Sequence, residues 1–153
     1  MRRQDKFDLE RFLPYVTARF AGRLSATLAT LYQREFGLTI VEWRVMANLY
    51  QHDRLLSKEI VARTDMDKVK VSRAVQSLLD KKWLKKVTSP SDNRAYYVTL
   101  TASGQRTMQK LLPRVLQWQS QLLATTSNNE VVALLRTIEK LNRQLENMAT
   151  TSD

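Results

Sequence analysis

Between Asp67 and Lys82 the chain spaces Val69, Lys70, Arg73, Gln76 and Ser77 so that they share one arc of a helix turning about 100° per residue. Val71, Val75 and Leu78, flanked by Ala74 and Leu79, fall on the opposite arc, which must therefore be buried. The outward arc holds an apolar group that suits a thymine methyl, cations that pair with guanine or phosphate, and an amide that can read adenine. A solvated helix face uses the same residue types, so the helix alone leaves both readings open. The following stretch tips the balance: Lys85 and Lys86 lie in a β-prone run, and the turn-forming residues 88–95 carry Arg94 beside Pro90 and Asp92.

A second group combines the apolar and aromatic residues Phe20, Trp43, Met46 and Tyr50 with Arg23 and Arg44. An arginine at the edge of an apolar cleft pairs bidentately with a carboxylate, so this set suits an aromatic carboxylate or a phenol. Taken singly, Trp43, Met46 and Tyr50 read first as core, and either arginine can instead be solvated or salt-bridged within a dimer. Other chemistries lack their residues. There is no cysteine and one histidine, His52, placed in the loop after the second helix, so disulfides, thiol chemistry and a tight zinc site are excluded and no metal or other cofactor is expected. Neither a Gly-rich phosphate loop nor a placed nucleophile with its base is present, which argues against an enzyme.

The elements that must position these groups are mainly helical, because only three Gly and three Pro interrupt 153 residues. Val16, Phe20, Leu24, Leu28, Leu31 and Phe36 mark a first helix over 14–36, with Pro14 in its first turn and Gly37 as a left-handed cap. Thr39 and Glu42 have capping-box spacing for a second helix reaching residue 51, and Ser57 can cap a third through residue 63. Asp67 caps the fourth, which runs to about residue 81 with Met66 and Val71 as a hydrophobic staple. Residues 83–87 and 96–100 form a hairpin. Thr101 caps a fifth helix to about residue 124, bent at Pro113. Ser127 and Glu130 open a sixth, whose stripe of Val131, Leu134, Leu135, Ile138, Leu141, Leu145 and Met148 calls for a partner helix. Phe7, Leu9, Phe12 and Leu13 join that interface or cap the protomer's own core.

Charge singles out one region. The net charge is +10, and residues 54–94 hold 11 Lys/Arg against 5 Asp/Glu, whereas the flanking segments are each only +2. A short helix, a capped basic helix and a basic hairpin form a winged helix-turn-helix, whose natural partner is duplex DNA. A membrane or protein adaptor is disfavoured, since the cations do not line one amphipathic helix. No run of 18 apolar residues occurs, and Arg2 and Arg3 are followed by a mixed-charge segment rather than an apolar one, so a cytoplasmic protein is expected.

Leu38-Thr39, Glu42-Trp43-Arg44-Val45, Asp67-Lys68-Val69-Lys70-Val71-Ser72-Arg73, Asp92-Asn93-Arg94 and Leu100-Thr101-x-x-Gly104 together resemble the MarR (multiple antibiotic resistance regulator) family of transcription factors, in order and across nearly the whole chain. The resemblance implies a homodimer joined by residues 1–36 and 101–153, with residues 37–100 as the DNA-binding domain. It also implies that the fourth helix, including Ser72 and Ser77, enters the major groove of a pseudo-palindromic operator. Arg94 then reaches the minor groove, with Asp92 holding the wing or that arginine in place. Family members bind aromatic acids or phenols between their first, second and fifth helices, where Phe20, Arg23, Trp43, Arg44 and Met46 would lie. The function implied is a repressor released by such a ligand; an effector-free DNA-binding or architectural protein is the alternative. Asp65 and Lys82 stand where the family usually has Gly, and both positions should need a left-handed backbone.

Overall fold

The computed structural model describes residues 7–92 and 94–150; Arg2, Arg3, the mixed-charge residues up to Lys6, and Asn93 lie outside them. After a short 3-10 turn at Leu9–Arg11, the order is α1 (Leu13–Phe36), α2 (Ile40–His52), β1 (Arg54–Leu56), α3 (Ser57–Thr64), α4 (Lys68–Asp80), β2 (Leu84–Thr88), β3 (Tyr96–Leu100), α5 (Ala102–Leu122) and α6 (Asn128–Thr150). The fold is mainly α with a small antiparallel sheet, as the residue pattern predicts. Two compact units divide the chain, one through Val115 and the other from Leu116.

In the first unit the predicted punctuation operates as hydrogen bonds. Gly37 adopts φ 64°, and its N–H donates to the Gln33 carbonyl at 3.1 Å, closing α1. Glu42 N donates to Thr39 Oγ1 at 3.2 Å while Thr39 N donates to Glu42 Oε2 at 2.8 Å, so both halves of the capping box form. Asp67 Oδ1 accepts from Val69 N and Lys70 N at 3.0 and 3.1 Å. Asp65 and Lys82 take the left-handed backbone expected of them, at φ 51° and 59°.

Several boundaries differ from the sequence reading. His52 is the last residue of α2 rather than a loop residue, and Asp53 turns the chain at φ 58°. The three-residue β1 is too short to show alternation; it exists because β3 offers it a pairing edge, with Leu55 opposite Val98. It also moves the cap of α3 to Leu56, whose N–H donates to Glu59 Oε2 at 2.7 Å. Trp83 belongs to the exit from α4, donating to the Leu78 carbonyl at 3.0 Å, so β2 begins one residue later. The stripe predicted for α1 is exposed at Val16 and Phe20 and half-buried at Leu24, Leu28, Leu31 and Phe36, and the residues of α1 that are buried are Ala29 and Tyr32.

The sheet order is β1-β3-β2, with β3 central and antiparallel to both neighbours. The core gathers Tyr32, Leu38, Val45, Met46, Leu49, Ile60, Val71, Leu78, Val98, Met108 and Leu111 from α1 through α5. The start of α5 is fixed to the wing: Thr101 N donates to the Trp83 carbonyl at 2.9 Å, Thr101 Oγ1 to the Lys82 carbonyl at 2.7 Å, and Gly104 N to Thr101 Oγ1 at 3.0 Å. Pro113 lies inside α5, which ends at Leu122 before a 3-10 turn at Leu123–Thr125.

The second unit contains α6, opened by the predicted box in which Ser127 N donates to Glu130 Oε2 at 2.8 Å and Glu130 N to Ser127 Oγ at 3.2 Å. Its Leu134, Leu135, Ile138, Leu141 and Leu145 are all exposed.

Candidate nucleic-acid interface

Helix α4 divides along the predicted line. Val71, Ala74, Val75 and Leu78 are buried, while Lys70, Ser72, Arg73, Gln76 and Val69 are exposed. Val69 is the informative member, because a β-branched aliphatic side chain 55% exposed near the N-terminus of a helix gains nothing in water but can meet a thymine methyl. The first turn is held by Asp67, so Val69 and Lys70 sit on a fixed backbone. Gln76 Nε2 donates to Asp80 Oδ1 at 2.9 Å, which orients its amide along the helix.

Ser77 departs from the outward set. It is half-buried, and its hydroxyl donates to Glu42 Oε1 at 2.6 Å, turning it from the exposed arc toward α2. Lys81 Nζ donates to Glu42 Oε1 and Oε2 at 3.1 and 3.2 Å and to the Gly37 carbonyl at 3.2 Å. It also lies 5.5 Å from the centre of the Trp83 ring. Glu42, only 3% exposed, thus receives donors from Thr39, Ser77 and Lys81. Burial alone would raise its pKa, but the hydrogen bonds from Ser77, Thr39 and Lys81, with the Lys81 charge, outweigh it and hold the carboxyl below its ordinary range. The Thr-x-x-Glu spacing reveals the cap; nothing in the sequence marks the second use of the same carboxylate, because Ser77 and Lys81 come from a distant segment.

The wing is basic, and cations lie over its aromatic rings. Lys86 Nζ sits 4.4 Å from the Tyr96 ring centre, and the Arg54 guanidinium of β1 sits 4.8 Å from that of Tyr97. Arg54 is an addition that only the pairing of β1 reveals. At the tip Asp92 Oδ1 accepts from the backbone N–H of Arg94 at 2.9 Å, so the carboxylate fixes the turn, and Arg94 is exposed. A cleft of about 440 Å³ between the wing tip and the start of α3 is lined by Ser57, Lys58, Ser89, Arg94 and Tyr96 among others.

The second predicted group is only partly assembled. Trp43 stacks on Tyr32 of α1, with centroids 5.5 Å apart, and Arg44 Nη2 donates to Ser25 Oγ at 3.1 Å, so α2 presents both residues to α1. Burial raises the Tyr32 pKa while the Arg44 charge pulls the other way. Met46 is wholly enclosed in the core, and Phe20 and Arg23 are exposed on α1. Tyr32 and Ser25 complete this contact and were not singled out by spacing, since each is one more member of a long helix. His52 Nε2 lies 3.3 Å from Arg63 Nη1.

Known proteins share this arrangement. A model of the MarR family matches residues 36–95, which span α2 through the wing tip. The uncharacterized HTH-type transcriptional regulator YwaE of Bacillus subtilis (strain 168) is 22% identical over 133 residues, 87% of this chain and 76% of that protein. A MarR/EmrR family transcriptional regulator from Acinetobacter sp. ADP1 superposes with a TM-score of 0.84 at 25% identity, covering 92% of this chain and 99% of that one. BpsR of Bordetella bronchiseptica, described for the regulation of its DNA binding by 6-hydroxynicotinic acid, superposes with a TM-score of 0.80 at 20% identity, covering 90% and 97%. A capped helix with an exposed, basic face, a basic wing beside it, and these matches support a DNA-binding regulator rather than an enzyme, one whose residues 36–95 match the MarR family and whose winged helix-turn-helix fold is that of MarR-family transcriptional regulators.

Proposed function

We propose that the protein is a homodimeric repressor of the cytoplasm that leaves its operator when a small aromatic carboxylate or phenol binds. The observation that carries the DNA-reading part is the exposed face of α4, where Val69, Lys70, Ser72, Arg73 and Gln76 stand outward from a fully buried aliphatic seam. Arg94, on its turn fixed by Asp92, enters the adjacent minor groove, where a narrow A·T segment concentrates negative potential. Residues 37–100 are the DNA-binding segment, and residues 1–36 and 101–153 the dimerisation segments. The operator is pseudo-palindromic, with half-site centres about one helical turn, roughly 10 bp, apart.

Ligand release is supported by the α1–α2 contact. Trp43, Tyr32 and Arg44 bring a stacking surface and a guanidinium together, with Phe20, Arg23 and Met46 on the same two helices. The regulation of BpsR by a hydroxylated aromatic acid fits the same chemistry. A ligand that prefers the conformation with wrongly spaced recognition helices suffices to lower operator affinity.

The test selects the best-bound duplex from a random pool and repeats the selection with Arg94→Ala. A palindromic site with A·T-rich flanks is expected from the native chain, and a flattened flank preference from the variant. Titration of the complex with benzoate- and phenol-type compounds should release DNA and change Trp43 fluorescence at matching concentrations, with Trp43→Phe as control because Trp83 and Trp118 also report. Indifference to every aromatic acid tried favours the effector-free DNA-binding reading.

A further inference from the structure

We propose that Glu42 is a positioning residue for DNA reading: through Ser77 and Lys81 it fixes how far α4 is rotated on α2. The inference rests on the operator-binding reading of α4. The buried seam of α4 is aliphatic, and contacts among Val71, Ala74, Val75 and Leu78 have little directional preference. Side-chain tips lie about 5–6 Å from a helix axis, so a rotation of about 20° moves them by about 2 Å. That displacement exceeds the roughly 0.5 Å window of a good hydrogen bond to a base edge.

Among the described residues, the side-chain hydrogen bonds that tie α4 and its C-cap to α2 converge on one buried carboxylate. Glu42 Oε1 receives Ser77 Oγ at 2.6 Å and Lys81 Nζ at 3.1 Å, one turn apart along α4. Its Oε2 receives Thr39 N at 2.8 Å, which ties the carboxylate to the start of α2. Ser77 adjoins Gln76 in sequence and follows Arg73 by one helical turn, so the side chains that face outward share the backbone that Glu42 holds. Lys81 belongs to the basic segment, yet its ammonium is engaged by Glu42 and the Gly37 carbonyl.

The experiment measures Kd for the selected duplex and for a scrambled one, across a salt series, in Glu42→Gln, Ser77→Ala, the double variant and Lys81→Met. Glu42→Gln is expected to weaken the selected site at least tenfold while the scrambled duplex changes less than twofold. The double variant should be no worse than Glu42→Gln, because Ser77 acts only through Glu42. Lys81→Met should weaken the selected site with an unchanged salt slope. Native affinity in folded Glu42→Gln, additive losses in the double variant, or a salt slope that falls by about 0.9 in Lys81→Met, the signature of a lost phosphate contact, would each overturn the proposal. If Glu42→Gln does not fold, Ser77→Ala and Lys81→Met decide alone: native affinity in both overturns it. Failure of the native chain to select any duplex would instead overturn the operator reading, and this inference with it.

Discussion

Two arginines and one glutamate carry the residue-scale argument. Arg73 and Arg94 are exposed and belong to elements held by an aspartate, Asp67 at the start of α4 and Asp92 at the wing tip. If Arg73 meets a base, Arg73→Ala should cost about 1–3 kcal/mol at one operator position and relax specificity there. A phosphate contact would instead weaken all duplexes alike, and a base-by-base substitution scan of the selected site separates the outcomes. Glu42 gives a prediction about pH. Its folded pKa is depressed, so its contribution to stability is fully present above the unfolded value, about 4.3 for glutamate, and is lost as pH falls through the folded value. Urea unfolding between neutral pH and pH 3 should show a steeper acid decline in the native chain than in Glu42→Gln.

At the scale of elements, the joint between wing and α5 is the point where one atom matters. A Cβ added at Gly104 would run into the Trp83 carbonyl oxygen and press on Leu100. That carbonyl is fixed by the Thr101 N–H, and the preceding Lys82 carbonyl by the Thr101 hydroxyl, so neither can yield cheaply. Gly104→Ala should therefore destabilise by about 1–3 kcal/mol, as overpacking does in a closed core. Thermal unfolding checks this; a variant with native Tm would show that the start of α5 can shift. The Leu-Thr-x-x-Gly spacing thus has a mechanical meaning: the threonine caps α5 and clamps the exit of α4, and the glycine lets the two backbones approach.

For the whole molecule, the leading feature is apolar surface. Leu134, Leu135, Ile138, Leu141 and Leu145 of α6 are 40–62% exposed, and Phe7, Leu9, Phe12 and Leu13 are exposed as well. An exposed apolar stripe such as that of α6 marks an association face, and a second copy of the chain is the partner proposed above. Leu135→Glu combined with Leu141→Glu should shift the protein toward monomer in sedimentation equilibrium and remove most operator affinity, because each lobe then binds one half-site alone. Deletion of residues 127–153 should do the same. A variant that remains a tight-binding dimer would move the dimer contact elsewhere.

Local signals determined most of the fold. Capping boxes at Thr39 and Ser127, the Asp67 cap, Gly37 and the helical spacing of α4 each act within a few residues, so the sequence carries them directly. The exposed face of α4 was legible for the same reason: once its aliphatic arc is buried, the rest must face out. What depended on distant partners was decided only by tertiary structure. The strand β1 exists because β3 pairs with it, and Met46 is closed in the core because neighbouring helices cover it. Ser77 turns inward because a carboxylate 35 residues away offers a 2.6 Å acceptor, which periodicity, measuring only the angle around one helix, has no means to record.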